Sequence, residues 1–293
     1  MKWRSRVLLL GLAVMAIAVA IYSTSIPEAH ECDTAKEIIC APTNVVELFE
    51  HKEALFSMGP FDVTRTVFLI FLATLIVVAA LYFAFRTPKI VPGKFGVVME
   101  SMVSFVRDDV AKGTIGPDGG RYAPYLLAVF LLVLVGNLFE LLPLINFPIT
   151  SRMAIPAMLA VFTWVIFVFV GFAKNGFAYV WGIIWPKSVP LGLRWLVGLI
   201  EFVSTFLLRP ITLAVRLFAN LVAGHLMLTL LLASGWLFFS SAGEIGARAL
   251  IGVPWFAFGL LIFAFEFVVI VLQAYIFTLL SAVYIQTSVH PEH

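Results

Sequence analysis

Near its carboxyl end, the chain contains LRWLVGLIEFVSTFLLRPITLAVRLFANLVAGHLMLTLLLASGWLFF at residues 193–239 and ALIGVPWFAFGLLIFAFEFVVIVLQAYIFTLLSAVYIQTS at residues 249–288. These apolar stretches of 47 and 40 residues would form helices about 70 and 60 Å long, roughly twice the ~30 Å of hydrocarbon in a bilayer. Pro210 can kink the first stretch, but neither contains the polar turn that would divide it into two upright spans. Together they predict a hairpin of two long, steeply tilted helices that turns at residues 240–252 and packs against a large partner.

The rest of the sequence has the same apolar character. Of 293 residues, 62% are hydrophobic, 12% are charged and 28 are Phe, a balance that soluble domains of this length do not carry. Further uncharged stretches approach the ~20 residues that cross a bilayer as a helix; they are residues 7–27, 66–85, 122–139 and 153–173. No segment alternates as barrel strands do, so the sequence predicts an all-α, polytopic membrane protein.

The amino-terminal region has its own pattern. Lys2, Arg4 and Arg6 precede an apolar run and a group of small residues, so residues 1–25 are either a signal peptide or an uncleaved anchor helix. Both interpretations place residues 26–64 outside the cell, and that segment carries eight acidic residues against two lysines. It also contains the two cysteines of the chain, Cys32 and Cys40, which an exterior location allows to be a disulfide or free thiols.

Basic residues predict the topology of the membrane domain, which we place at residues 65–290. The connection at residues 86–123 carries six Lys and Arg, as a cytoplasmic loop should. Within it, residues 93–112 have the apolar spacing of a helix that lies on the membrane surface, and residues 116–120 end that helix. Summed over the chain, predicted inside segments hold twelve Lys and Arg and outside segments hold five, which supports this orientation.

The apolar helices contain few polar side chains, and an ionisable group in a membrane helix costs about 3 kcal/mol or more and indicates a functional site. The polar residues are Glu140, Glu201, Arg209, Arg216, Asn220, His225, Glu266 and Gln273. Arg216 shares a helix face with Asn220, four residues on, and Glu266 shares one with Gln273. His225 and Glu266 are titratable groups on two facing helices, as a proton relay requires.

Each of these residues also has a structural interpretation. Arg216 could form a buried ion pair with Glu266 that ties two helices together. Glu140 and Glu201 lie near predicted helix ends, where a carboxylate can reach water. Arg209 directly precedes Pro210 and can extend toward the membrane surface, which indicates a structural role.

Three motifs closely resemble subunit a of F-type ATP synthases. They are LAVRLFANLVAGH at residues 213–225, NLFELLP at residues 137–143 and EFVVIVLQAY at residues 266–275. With a similar loop at residues 93–125, the resemblance covers about residues 60–288. Some members of this family have Glu at the position of His225 and His at that of Glu266, so this sequence has the exchanged arrangement. Glu201 is one residue further from Arg216 than in several members, and the Cys pair has no general counterpart.

The resemblance implies a stator subunit that passes protons through two half-channels to a ring of c subunits, whose carboxylates carry the ion and whose rotation is coupled to ATP synthesis. The long helix hairpin would face this rotor ring, and Arg216, which keeps its charge, would hold a passing rotor carboxylate and block direct proton leakage. The outer half-channel would be lined by Asn137, Glu140, Asn220, His225, Glu266 and Gln273. Glu201 and Ser204 would lie on the cytoplasmic side. Further implied partners are b-type peripheral stalk subunits, the lipid bilayer and the transported ion, H⁺ or Na⁺.

Other classes of function fit the sequence less well. It contains no GxxxxGK[ST] phosphate loop, so ATP would be made by other subunits, and no cofactor is implied. A secondary transporter should show inverted repeats and broken helices. An intramembrane hydrolase should contain HExxH or GxSxG, and a nucleic-acid-binding protein should carry a basic stripe. The sequence shows none of these features. A purely structural assembly subunit stays an alternative if Arg216 is dispensable. The signal-like start favours a bacterial plasma membrane over a mitochondrial or plastid inner membrane.

Overall fold

The computed structural model describes residues 54–58, 61–86, 93–142, 145, 147–185, 189–241, 243 and 246–289. The predicted leader at residues 1–25 and the two cysteines, Cys32 and Cys40, lie outside the described residues.

Long apolar helices form where the sequence predicts them. We number the main helices in chain order as α1 (Arg65–Phe85), α2 (Lys94–Ser104), α3 (Ala123–Leu138), α4 (Ala154–Asn175), α5 (Ala178–Ile184), α6 (Arg194–Val203), α7 (Arg209–Ser240) and α8 (Gly252–Val289). In the described part of the chain, four helical stretches are long and apolar enough to cross a membrane: Arg65–Phe85, Ala154–Asn175, Arg194–Ser240 and Ala249–Val289. Helix α3 is apolar but shorter. The predicted all-α, polytopic membrane fold is confirmed.

A short pair of strands precedes α1 and was not predicted. Strands β1 (Ala54–Met58) and β2 (Phe61–Thr64) are antiparallel, with Ala54 opposite Thr64 and Met58 opposite Phe61. The sequence separates them by Gly59 and Pro60, a dipeptide typical of turns. That signal was present within the acidic external segment, but segments this short are difficult to assign without a neighbouring strand.

The connection after α1 forms helix α2 and continues through a π-helical segment, Phe105–Lys112, to a last turn at Gly113–Ile115. The structure therefore confirms a helix over residues 93–112 and ends it just before Gly116. Asp108 contacts Arg107 at 2.8 Å and Lys112 at 2.7 Å, and these two cations hold the pKa of its carboxyl well below the usual range. Part of the positive charge in this connection is therefore paired.

The described chain divides into two compact units. The first comprises the described residues up to Phe68 together with those of Gly136–Ser151 and Asn220–Ile270. In it, helices α7 and α8 pack antiparallel, since Gly235 contacts Phe256 while Leu232 contacts Gly259. The predicted turn of the hairpin is confirmed, because α7 ends at Ser240 and α8 begins at Gly252.

The second unit comprises Leu69–Val135, Arg152–Ala219 and the residues from Val271 onward. Its apolar core includes fully buried side chains from several helices, among them Val106, Leu126, Phe167, Leu217 and Phe277. Hydrogen bonds between buried or half-buried side chains also join its helices: Tyr125 to Thr163 at 2.7 Å, and Tyr179 to Ser288 at 3.0 Å. The carboxyl-terminal part of α8 is thus held by both apolar packing and hydrogen bonds.

A π-helical segment, Ser204–Leu208, joins α6 to α7. Its last hydrogen bond runs from the N–H of Arg209 to the carbonyl of Ser204, five residues earlier. Pro210 follows and has no N–H to donate, which favours a wider turn at this point. Arg209 donates to Thr287 at 3.0 Å and lies over the ring of Tyr284 at 5.2 Å, contacts that fit its predicted structural role.

Candidate functional site

Five polar side chains are buried together within the first unit. They are Asn137, Glu140, Thr150, His225 and Glu266, and each is at most 3% exposed. Polar groups buried among apolar helices are costly unless they pair with one another or with water. Four of the five were predicted site residues, so the structure brings together side chains that are far apart in the sequence.

Glu140 and His225 face each other in this cluster. Nδ1 of His225 lies 3.3 Å from Oε1 of Glu140, so an imidazole and a carboxylate face each other at close to hydrogen-bonding distance. The expectation that Glu140 reaches water at a helix end is wrong, because its side chain is fully buried. Phe139, Leu141 and Phe147, which follow α3 in the sequence, are buried as well.

Glu266 packs directly against the backbone of α7. A methyl group at position 224 would overlap both carboxylate oxygens of Glu266, so only glycine leaves them room there. Gly224 immediately precedes His225. The carboxylate of Glu266 therefore lies at the same turn of α7 that carries His225, as the relay hypothesis requires.

Asn137 receives support from a residue that the sequence did not single out. The hydroxyl of Thr150 donates a hydrogen bond of 2.7 Å to Oδ1 of Asn137. Thr150 belongs to a single turn of 3₁₀-helix, Ile149–Ser151. The backbone N–H of Glu140 donates to the carbonyl of Asn137 at 3.0 Å, which fixes the two side chains one turn apart.

Arg216 lies on an exposed stripe along α7. The exposed residues of this stripe are Ile211, Thr212, Val215, Arg216, Ala219, Asn220, Ala223 and Met227, spaced as one face of a helix. The alternative of a buried ion pair with Glu266 would bury the guanidinium of Arg216, whereas the structure leaves it exposed. Asn220 occupies the same face, as its spacing predicts.

The remaining predicted site residues belong to the second unit. Gln273 is buried on α8, while Glu201 on α6 and Ser204 at the start of the π-helical segment are half-buried. π-Helical segments such as the one that begins at Ser204 occur often at functional sites. Thr150 and Gly224 are the site residues that the sequence reasoning missed, although Gly224 stands within the motif of residues 213–225.

Apolar helices of membrane-spanning length, a buried imidazole–carboxylate pair and an exposed arginine on a long helix define a membrane protein with ionisable side chains among its helices. The family model described as ATP synthase A chain matches residues 67–286 of this chain. The chain is 44% identical to ATP synthase subunit a of Frankia alni over 231 residues, which is 75% of this chain and 76% of the relative. It is 38% identical to that of Rhodococcus erythropolis over 240 residues (81% and 86%) and 32% identical to that of Maricaulis maris over 263 residues (86% and 100%). The chain belongs to the ATP synthase A chain family, which confirms the resemblance of its motifs.

Proposed function

We propose that this chain is the stator proton-channel subunit of an F-type ATP synthase. It passes protons through two half-channels to and from the carboxylates of a c-subunit ring, and so couples proton flow to rotation and ATP synthesis. The observation that carries this proposal is the buried contact between Glu140 and His225, beside the turn of α7 where Glu266 packs. The subunit itself is non-catalytic, because ATP forms on other subunits of the complex.

The outer half-channel uses the buried cluster of the first unit. A proton that reaches Glu140 passes to His225 across 3.3 Å, and Glu266 provides the next carboxylate. Asn137, Asn220 and Gln273 supply neutral hydrogen-bonding groups along the way. Each proton that crosses a membrane potential of 100 mV releases about 2.3 kcal/mol, which is the energy that the rotor uses.

Arg216 separates the two half-channels in this proposal. Its guanidinium keeps its positive charge, so it attracts a rotor carboxylate that has lost its proton and prevents a direct leak. Its exposure on the stripe of α7 supports contact with a partner outside this chain. Glu201 and Ser204 are assigned to the cytoplasmic half-channel, where protons leave or enter the ring.

The length of the hairpin helices supports a tilted position against the ring. Helices of 32 and 38 residues are about 48 and 57 Å long, compared with a ~30 Å hydrocarbon core. We also propose contact with b-type peripheral stalk subunits and a location in a bacterial plasma membrane. The proposed division is a leader at residues 1–25, an external segment at 26–64 and a membrane domain at 65–290. The transported ion is H⁺, and Na⁺ is the alternative.

An exchange of side chains tests the relay. His225→Glu places a third carboxylate beside Glu140 and Glu266 and removes the imidazole donor, and neighbouring carboxylates repel each other when charged. We expect ATP-driven proton pumping in inverted membrane vesicles to fall about ten-fold, the equivalent of losing one hydrogen bond to a charged group. The double variant His225→Glu with Glu266→His should recover part of the pumping, because the pair again holds one imidazole and one carboxylate.

The control is Glu266→His alone, with pumping normalised to the amount of subunit in the membrane. Equal loss in both single variants and in the double variant would contradict a direct relay between these positions.

A further inference from the structure

The turn Ile149–Ser151 contributes a hydroxyl to the buried cluster in addition to the residues of the proposed relay. Oγ1 of Thr150 lies 2.7 Å from Oδ1 of Asn137, and both side chains are buried. Because a primary amide is planar, a hydrogen bond to its oxygen also fixes where its NH₂ group points. In the structure, the NH₂ end of the Asn137 amide therefore faces away from Thr150.

The NH₂ group of Asn137 is available to a further partner. Its nitrogen is buried and makes no hydrogen bond to any residue that the structure describes. Such a buried donor is costly unless water or an acceptor satisfies it. Glu140 lies one turn further along the chain, and its two carboxylate oxygens are also buried. Apart from Nδ1 of His225, 3.3 Å from Oε1, no donor among the described residues reaches them. The buried NH₂ group of Asn137 and the buried carboxylate oxygens of Glu140 are a donor and acceptors that internal water molecules can bridge.

The orientation of the amide has a chemical consequence. An NH₂ group donates to the oxygen of a neighbouring water, so the hydrogens of that water point onward toward an acceptor such as a carboxylate. The reversed amide would present its carbonyl oxygen instead, and would face the carboxylate with another acceptor. We propose that Thr150 is a positioning residue of the outer half-channel, which holds Asn137 as a hydrogen-bond donor toward Glu140. This inference rests on the proposed function.

The turn that carries Thr150 is firmly supported. Ile149 packs against Gly136 on helix α3, with a closest approach of 3.0 Å to the position of a Cβ there. At the start of α1, Arg65 donates to the carbonyl of Ile145 and its guanidinium lies 5.4 Å from the ring centre of Phe147. These contacts hold the segment in place within the first unit, so the hydroxyl of Thr150 has a defined position.

Removal of this hydroxyl tests the inference. Thr150→Val keeps the shape of the side chain and loses the donor, whereas Thr150→Ser keeps the donor. We expect ATP-driven proton pumping per assembled complex to fall about ten-fold in Thr150→Val and to stay near normal in Thr150→Ser. The matched control is Thr278→Val, since Thr278 is a buried threonine that donates to the Ala274 carbonyl of its own helix; its pumping should be unchanged.

A double-variant comparison distinguishes positioning from packing. If Thr150 acts through Asn137, Thr150→Val should cause no additional loss in an Asn137→Ala background, whereas an independent structural role would add to the loss. Normal pumping by Thr150→Val beside defective Asn137→Ala and Arg216→Ala variants would overturn the inference and leave the proposed function intact. Normal pumping by all three would overturn both. If Thr150→Val lowers the amount of subunit, Thr150→Ser decides, because a serine variant as defective as Asn137→Ala overturns the inference.

Discussion

Gly224 leaves space on helix α7 for the carboxylate of Glu266. A methyl group at this position would overlap the two carboxylate oxygens, but these are the free end of a flexible side chain. The carboxylate can therefore move aside without unfolding the hairpin. The glycine matters for where Glu266 lies more than for whether the helices pack.

Gly224→Ala should accordingly leave assembly of the subunit intact and impair proton flow. We expect the variant to assemble in normal amounts, since alanine favours helix, while ATP-driven proton pumping falls about ten-fold or more, because displacement of a reacting group by about 1 Å is costly. Pumping in inverted vesicles and subunit content measured by immunoblot give the two values. Wild-type pumping by this variant would show that the position of Glu266 against α7 is unimportant.

At the residue scale, the cost of burying charge made most of the site predictable. Asn137, Glu140, His225 and Glu266 stand out because polar groups are rare in apolar helices, and the structure buries all four in one unit. Thr150 could not be found in this way, because a threonine in a loop is ordinary and its hydrogen bond to Asn137 depends on how the chain turns.

At the scale of elements, helix length and the position of the turn followed from uninterrupted apolar sequence. Helices α1, α4, α7 and α8 lie where the sequence places them, since membrane helices must satisfy their backbone internally. Helix α5 was not predicted, because the segment around residues 176–193 is short and mixed in character. Helix α6 begins at Arg194, where the predicted stretch of residues 193–239 begins. One of the tertiary contacts of α5 is a close approach to the backbone of α6.

That contact joins α5 and α6 at Gly198. A methyl group there would overlap the backbone carbonyl oxygen of Ile184, which cannot move aside as a side chain can. We expect Gly198→Ala to destabilise the subunit by about 1–3 kcal/mol through overpacking, and to reduce its amount in the membrane. Gly192→Ala is the control, because an added methyl group meets nothing within 4 Å there. Equal amounts of both variants would contradict the close approach of α5 and α6.

At the scale of the whole molecule, orientation rests on charge distribution. Twelve of the Lys and Arg residues fall in predicted inside segments, and the described connection at residues 93–121 pairs some of them with Asp108 and Asp118. The outside position of residues 26–64 stays a prediction, because the structure describes only the two short strands at its end.

Cys32 and Cys40 provide a direct test of that orientation. We expect a membrane-impermeant thiol reagent to modify both in intact cells after mild reduction, because the acidic segment that contains them follows a basic amino terminus. The measurement is the mass of labelled subunit before and after the membrane is opened. Labelling that appears only in opened cells would reverse the topology.

The central claim is that Arg216 acts on a partner that moves past the exposed stripe of α7. Arg216→Ala should abolish ATP-driven proton pumping in inverted vesicles while the subunit stays assembled, because the exposed guanidinium leaves no buried carboxylate stranded in this chain. Arg216→Lys should fail as well, since lysine lacks the planar fork and loses its proton more readily. Arg121→Ala, which removes an exposed arginine outside the membrane helices, should pump normally. Near-normal pumping by Arg216→Ala would contradict the account, and loss of the subunit from the membrane would favour a structural role for Arg216 instead.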